Sequence, residues 1–249
     1  MCPGGAIRRV LPKLALASAL LLGGVNAQQV QIDWGTALTN HKLIKSDGSP
    51  LSISEFTIEI GGFSGGFVPT STNYNQWLAN WMIFDAITDP DSDTNGPGGT
   101  SADVFVSGGG TDARCLGTAH LLADQTSDSE DANGTDVFTA GLQAWVFIRN
   151  SDTISATTEW LLYTSTGPDS WEFPDVAGSP PGSSESWLLA QADSVKWGSI
   201  LEKIVGEGEF TDKSSDFSLR THRFPVIPEP GSMSLVLLGA IFLLRRQRP

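Results

Sequence analysis

Hydrophobic and polar residues alternate along several short stretches of this chain. In "FTIEIGG", Ile58 and Ile60 fall on one side of an extended backbone, while Thr57 and Glu59 fall on the other. "VQIDWG" shows the same period of two residues. Such alternation is typical of a strand with one face buried and the other in water. We therefore expect both segments to be strands of a sheet with one wet face.

Other segments extend this β pattern. "GLQAWVFIRN" and "TISATTEWLLYTST" are separated by turn-forming residues near Asn150 to Asp152, which predicts a hairpin or an adjacent pair of strands. "DVFVSGG" and "SWEFPD" are expected to be further strands. No stretch repeats at a fixed period. The sequence thus predicts a mainly β fold, an antiparallel β-sandwich or jelly-roll-like single domain with one short helix.

The short helix is predicted in "NYNQWLANWMIFDAI". Trp77, Trp81 and Phe84 recur there at the spacing of one helical face. Such a stripe could be an aromatic platform for sugar rings, but a helix packing this stripe onto a sheet is the favoured interpretation. The other tryptophans are expected in the core, and these are Trp34, Trp145, Trp160, Trp171, Trp187 and Trp197.

The N-terminus has the three parts of a secretory signal. Arg8, Arg9 and Lys13 form a positive region, and a short apolar stretch follows them. Small residues then precede Ala27, so we expect signal peptidase to cleave after this residue. Residues 1–27 are therefore predicted to be a signal peptide, and residues 28–224 the exported body.

The C-terminal segment, residues 225–249, combines three features. Prolines on both sides of Glu229 prevent a helix from extending upstream. A run of 12 residues from Met233 to Leu244 then contains only one polar residue, Ser234. As a helix this run would reach about 18 Å, short of the roughly 30 Å hydrocarbon core of a bilayer. An arginine cluster follows and favours a cytoplasmic location for the tip.

These residues, Pro228-Glu229-Pro230, the apolar run and Arg245, Arg246 and Arg248, resemble the PEP-CTERM sorting signal. The resemblance covers only the C-terminal tail. It implies a Gram-negative, exopolysaccharide-making bacterium and cleavage near Pro-Glu-Pro by an exosortase, which releases or transfers the body. The protein would then insert transiently in the inner membrane before it reaches the cell surface, the outer envelope or the extracellular matrix.

The exported region is strongly acidic. The whole chain has a formal net charge of −13, and residues 28–228 hold 9 Lys or Arg against 27 Asp or Glu, a charge of −18. Such a surface repels nucleic acid and anionic lipid, so neither is expected as a partner of the body. It attracts divalent cations, which directs attention to the acidic loops.

The acidic loop "TDPDSDTNGPGGTSAD" is the candidate metal site. Its oxygen-bearing side chains precede Gly96 and suit Ca²⁺, and they belong to Asp89, Asp91, Asp93 and Asn95. In an EF-hand-like register, however, Ala102 would stand where a bidentate glutamate belongs. A solvated acidic turn is therefore the competing interpretation. A second acidic loop, "SDSEDANGTD", has weaker spacing.

Two further motifs were weighed for chemistry. Gly62-x-Ser64-x-Gly66 fits the nucleophile-elbow pattern of hydrolases, but Pro69 prevents the helix that an elbow needs, so a glycine-rich bend is predicted. After signal removal only Cys115 remains, and it is predicted to be a small core residue.

The sequence therefore predicts no catalysis. It predicts a surface or matrix protein with a structural, adhesive or carbohydrate-binding role, and extracellular polysaccharide as a possible partner. The alternatives are a secreted polysaccharide-degrading hydrolase, which would need two facing carboxylates in a tryptophan-lined groove, and a matrix filler without a groove.

Overall fold

A computed structural model describes residues 28–36, 41–87, 94–95, 101–102, 104–107, 113–200, 203–205 and 217–225. In these ranges the chain is mainly β. The strands are β1 (Gln29–Gly35), β2 (His41–Ile44), β3 (Thr57–Phe63), β4 (Trp81–Ile87), β5 (Thr94–Asn95), β6 (Ser101–Ala102), β7 (Val104–Ser107), β8 (Ala113–Leu122), β9 (Trp145–Arg149), β10 (Glu159–Thr164), β11 (Ser184–Leu188), β12 (Ser194–Ile200), β13 (Lys203–Val205), β14 (Phe217–Arg220) and β15 (His222–Arg223). The helices are α1 (Trp77–Asn80) and the 3₁₀ helices Ser64–Gly66, Tyr74–Gln76, Val176–Gly178 and Leu189–Gln191.

Among the described strands two curled sheets form the body, and β5 and β6 pair as a separate two-stranded sheet. The small sheet has the strand order β11-β1-β8-β7. The large sheet has the order β2-β14-β12-β10-β9-β3-β4, with β13 paired to β12 and β15 paired to β10. The ladders between described strands are antiparallel except for β1 with β11 and β14 with β2, which are parallel. The predicted sandwich-like, mainly β single domain is confirmed, with these two parallel pairs at sheet edges.

The main core lies between the two sheets. Side chains of β1 and β8 meet side chains of β3, β4, β9 and β10 in one buried cluster. Trp34 of β1 is fully buried there, and its indole ring lies so close over Gly117 of β8 that a Cβ at this position would clash with it. Cys115 belongs to the same cluster, which confirms its predicted core position. The alternation expected for "VQIDWG" is also confirmed, because every second residue of β1 is buried.

The outer face of the large sheet is covered as well. We call this second cluster the aromatic layer, and its buried members are Phe63, Trp77, Trp145, Phe147, Trp160, Leu162, Trp197 and Phe224. The segment from Phe63 to Trp81 and the residues after β15 lie over strands β9, β10 and β12. All residues of β9 and β10 are consequently buried, so neither strand has a wet face.

This cover corrects one expectation for β3. Thr57 is exposed as predicted, but Glu59 is only 3% exposed. Its carboxylate lies on the outer face, where Arg149 of the neighbouring strand pairs with it. The alternating pattern identified the strand correctly, whereas a buried ion pair occupies part of the face that was expected to be wet.

The expected helical stripe is wrong beyond its first turn. The helix α1 contains Trp77 but ends at Asn80, and Trp81 and Phe84 belong to β4. Pairing of β4 with β3 explains the difference, because a full antiparallel ladder satisfies the backbone of this segment. Tertiary pairing therefore outweighs the helical periodicity of the side chains.

Two predicted β elements differ in detail. β9 and β10 form the expected antiparallel pair, but residues 150–158 connect them instead of a tight turn. The segment "SWEFPD" contributes only an isolated bridge between Glu172 and Gln143. Its aromatic residues are nevertheless buried in the main core, and Pro174, which has no N–H to donate, follows them at once.

Candidate functional site

An open groove lies at the end of β3, and we call it the first groove. Its volume is about 490 Å³. It is lined by Phe63, Ser64, Gly65, Gly66, Met82, Thr135, Asp136, Val137, Thr139 and Leu142. The chain turns sharply there because Gly65 and Gly66 have φ values of 61° and 74°, a left-handed backbone that favours glycine. A Cβ at either glycine would meet nothing within 4 Å, so these residues border open space.

The lining of the first groove combines an apolar floor with a polar rim. Phe63 is 2% exposed and anchors the floor in the aromatic layer. The hydroxyl groups of Ser64 and Thr139 can each donate and accept a hydrogen bond at the rim, and Thr135 Oγ1, which donates to Asn133 Oδ1 at 3.1 Å, can accept one. A concave site with few polar groups around apolar surface is the usual form of a small-ligand site.

Asp136 is the one carboxylate in the lining of the first groove. Burial raises its pKa above the ordinary value, since desolvation disfavours the charged form. The Asn133 amide donates to its Oδ1 over a long 3.4 Å, and the Asp136 N–H donates to the Asn133 carbonyl at 2.8 Å. The carboxylate is therefore held weakly within its own loop and faces the open groove.

A second, smaller groove of about 280 Å³ lies on the same segment. Thr70, Ser71, Val195 and Lys196 line it. The buried Trp145 ring lies 6.2 Å from the ring centroid of Phe63, and Lys196 Nζ lies 5.6 Å from the centroid of the Trp145 ring. These two distances place the ammonium group within about 12 Å of the Phe63 ring. Residues of the segment Phe63–Ser71 thus line both grooves, Ser64 to Gly66 the first and Thr70 and Ser71 the second.

The predicted calcium loop lies largely outside the described residues. Asp89, Asp91 and Asp93 are not among them, and of Asn95 the structure gives the backbone pairing of β5 with Ser101 of β6. Among the residues described, no group of three or more His, Cys, Asp or Glu side chains could hold a metal ion. The calcium site stays a prediction, tested by whether calcium raises the melting temperature of chelated protein.

The predicted sorting and signal residues also lie outside the described ranges. This applies to residues 1–27 and to Pro228, Glu229, Pro230, Arg245, Arg246 and Arg248. Every helix in the described part of the chain is too short or too polar to traverse a lipid bilayer.

The second acidic loop has two distinct functions in the fold. Asp128 accepts the backbone N–H of His120 at 2.7 Å and contacts its Nδ1 at 3.0 Å, which fixes the loop to β8. Asp136 lines the first groove. Sequence reasoning assigned both residues to a weak cation loop and missed the groove. The available signal was the glycine pair after Ser64, which marks a sharp bend beside an aromatic residue.

The nucleophile-elbow motif forms the predicted bend. Ser64 begins a 3₁₀ helix, and Phe67 N–H closes that turn on its carbonyl. The next α-helix begins only at Trp77, so the strand–turn–helix geometry of an elbow is not formed. A hydrolase elbow would also need a histidine base, and His222 is fully buried in β15.

The buried carboxylates of the body are committed to structural bonds. Arg149 donates to both oxygens of Glu59, at 2.6 and 2.9 Å, and Trp81 Nε1 donates at 2.6 Å. Burial lowers the pKa of Arg149, but the bonds to Glu59 and Asp152 outweigh it, so the pKa is raised. Glu59 and Arg149 thus form a buried salt bridge, and structural donors occupy both oxygens of the Glu59 carboxylate.

Two more acids are held in the inter-sheet side of the structure. Asp85 accepts from Trp34 Nε1 at 2.6 Å and from Ser129 Oγ at 2.7 Å. Glu159 accepts from the backbone N–H of Ser46 at 3.0 Å and from Ser46 Oγ at 2.6 Å. These contacts tie distant parts of the chain together.

The tryptophans do not form a sugar platform in the described structure. Seven of the eight are buried, and Trp81 is half-buried with its N–H on Glu59. The buried seven are Trp34, Trp77, Trp145, Trp160, Trp171, Trp187 and Trp197. The prediction that the six tryptophans outside the stripe belong to the core is confirmed.

No protein family, no curated protein and no solved structure matches this chain. The function is therefore argued from its own residues.

Proposed function

We propose that this chain is an exported protein of the cell surface or extracellular matrix, with a structural, adhesive or carbohydrate-binding role and no catalysis. It is inserted transiently through its tail and then processed by an exosortase. One observation carries the proposal: Pro228-Glu229-Pro230, a 12-residue apolar run and an arginine cluster follow one another at the C-terminus. The N-terminal signal-like segment, residues 1–27, is consistent with the same route.

A short apolar run suits this role physically. At about 18 Å the helix is too short to match the hydrocarbon core without cost, so it serves as a temporary anchor. The acidic body favours release outward, since its surface is repelled by anionic headgroups. Export also fits the cysteine usage, because the body after residue 27 contains only Cys115 and needs no disulfide partner.

The two grooves support the binding role. The hydrogen bonds of the buried carboxylates support the non-catalytic role. Arg149 donates to Glu59, and Arg223 donates to Glu159. Burial raises the pKa of Glu159, but hydrogen bonds from Ser46, Thr221 and Arg223 outweigh it and lower the pKa, which opposes the protonated form that a general acid needs. Release of new reducing ends from a polysaccharide incubated with the protein would overturn the non-catalytic part of this proposal.

The processing part is tested in the producing cell by intact mass. Protein recovered outside the cell should lack the segment containing Arg245, Arg246 and Arg248. Replacing Pro228, Glu229 and Pro230 by alanine should leave the full mass and retain the protein in the membrane fraction. The matched control is Pro225→Ala, which changes a nearby proline outside the motif and should be processed normally. Full-length protein in the medium would overturn the proposal.

A further inference from the structure

We propose that the segment Phe63–Ser71, with the grooves on its two sides, binds a neutral polysaccharide chain. The inference deepens the proposed function and rests on it for the presence of such a polymer outside the cell. It is carried by one observation: residues of this one short segment line two grooves, of about 490 and 280 Å³.

The first groove has the chemistry of a saccharide site. Met82 and Leu142, which are half-buried above Phe63 in the lining, offer apolar surface to the C–H face of a sugar ring. Its rim offers three hydroxyl groups, and Asp136 is a strong acceptor for sugar hydroxyl protons. A purely apolar ligand would leave these polar groups desolvated without partners, which costs free energy.

The second groove supplies complementary donors on the other side of the segment. Lys196 Nζ, placed over the Trp145 ring, can donate to ligand oxygens, and Thr70 and Ser71 add two hydroxyl groups. In the sequence Val68 lies between the residues that line the two grooves, and it is 69% exposed, which is unusual for a large hydrophobic residue in the described part of this body. A chain that crosses the segment would cover Val68 and reach both grooves.

Charge selects a neutral polymer over an acidic one. The exported region carries a formal charge of −18, and Lys196 is the one cation in the lining of either groove. A polyanion would be repelled over the whole approach, whereas a neutral chain meets no such barrier. Hydroxyl groups in the linings of both grooves can form hydrogen bonds with the hydroxyl groups along a sugar chain.

The test is affinity electrophoresis of the full chain in mild detergent, through gels that contain one polysaccharide. The probes are a neutral glucan, a neutral mannan, a neutral galactan and an acidic polyuronate. We expect at least one neutral polymer to retard the protein and the polyuronate to have no effect. Failure of all three neutral polymers overturns the inference, and retardation by the polyuronate alone overturns the ligand class.

Variants locate the binding site. Thr139→Trp should fill the first groove and abolish retardation, and Asp136→Asn should weaken binding about tenfold, the loss of one charged hydrogen bond. Glu130→Gln is the matched control, since it removes one exposed carboxylate from the same loop without lining the groove. Equal retardation of Asp136→Asn and Glu130→Gln would overturn the assignment.

Two readouts separate binding from folding and from export. Because burial raises the pKa of Asp136, its charged form is disfavoured in the folded protein, so Asp136→Asn should not lower the melting temperature at neutral pH. Lost binding with an unchanged melting temperature therefore reports the site. Processed protein that binds no neutral polymer would refute this inference alone, while the intact-mass experiment tests the proposed function separately.

Discussion

The two faces of the large sheet are buried in different ways. On the inner face, side chains from two sheets interlock, and hydrogen-bonded ladders fix both walls of the core. On the outer face, eight mostly aromatic side chains form the aromatic layer. A largely irregular segment with one short helix covers it. The comparison shows that an irregular segment can close a sheet face when large aromatic rings supply the buried area.

Each face also holds charged side chains. The outer face ends in the Glu59–Arg149 pair, with the guanidinium group 5.0 Å from the Phe147 ring centroid. The inner face contains Asp85, which accepts hydrogen bonds from Trp34 and Ser129. Substitutions at these residues can separate the contributions of the two faces.

The largest effect is expected from Trp34→Ala on the inner face. It creates a cavity between two fixed walls and removes a hydrogen bond to Asp85, so the free energy of unfolding should fall by about 5 kcal/mol. Trp160→Ala on the outer face should cost less, about 3 kcal/mol, because the irregular cover can relax into the space. Urea unfolding of both variants measures the difference. An equal or reversed order would contradict the contrast between the faces.

A smaller effect is expected where the outer face holds its ion pair. Glu59→Ala leaves Arg149 buried with only the exposed Asp152 as an acidic partner, and should cost about 3–4 kcal/mol in the free energy of unfolding. The double variant Glu59→Leu with Arg149→Met removes both charges and should lie within about 1 kcal/mol of the parent. Urea unfolding checks both. A double variant as unstable as the single one would mean that the pair itself stabilises the fold.

The inner and outer faces differ in how far the sequence pattern predicts them. β1 alternates because only its inward side chains meet the core. β9 and β10 do not alternate, because both of their faces are covered, and their continuous hydrophobic runs are the local sign of the second layer. The local alternation places Glu59 on the solvent-facing side of β3, since its partner, Arg149, is 90 residues away in the sequence. Such long-range pairs leave no local pattern.

The candidate grooves were predictable only in part. The glycine pair Gly65 and Gly66 marked a bend, and the acidic loop containing Asp136 was noted. Their juxtaposition was not predictable, because it depends on how β3 and the loop after Asn133 meet in three dimensions. The tryptophans suggested a sugar platform near Trp81, but the second layer buries most of them. The terminal segments, by contrast, were read from local sequence alone.

The smallest of the three stability effects, and the only pH-dependent one, concerns Glu159 at the inner edge of β10. Ser46 Oγ and Thr221 Oγ1 donate to its carboxylate at 2.6 and 2.7 Å, and Arg223 Nε donates at 3.0 Å. Burial alone would raise the pKa of Glu159, but these bonds outweigh it, and the pKa lies below its ordinary value of 4.5. The charged form is thus favoured in the folded protein.

The stability that Glu159 contributes is therefore fully present above about pH 4.5 and is lost as the pH falls through the lower pKa of the folded protein. Glu159→Gln should cost about 1–2 kcal/mol at pH 7, because it removes charge-assisted hydrogen bonds. The gap between parent and variant should narrow as the pH falls below 4.5. Urea unfolding between pH 7 and pH 3 measures it, with Glu185→Gln, an exposed carboxylate on β11, as the control. The carboxylate of Glu159 joins Ser46 to Thr221 and Arg223. A gap that stays constant with pH would show that packing, rather than charge, explains this role.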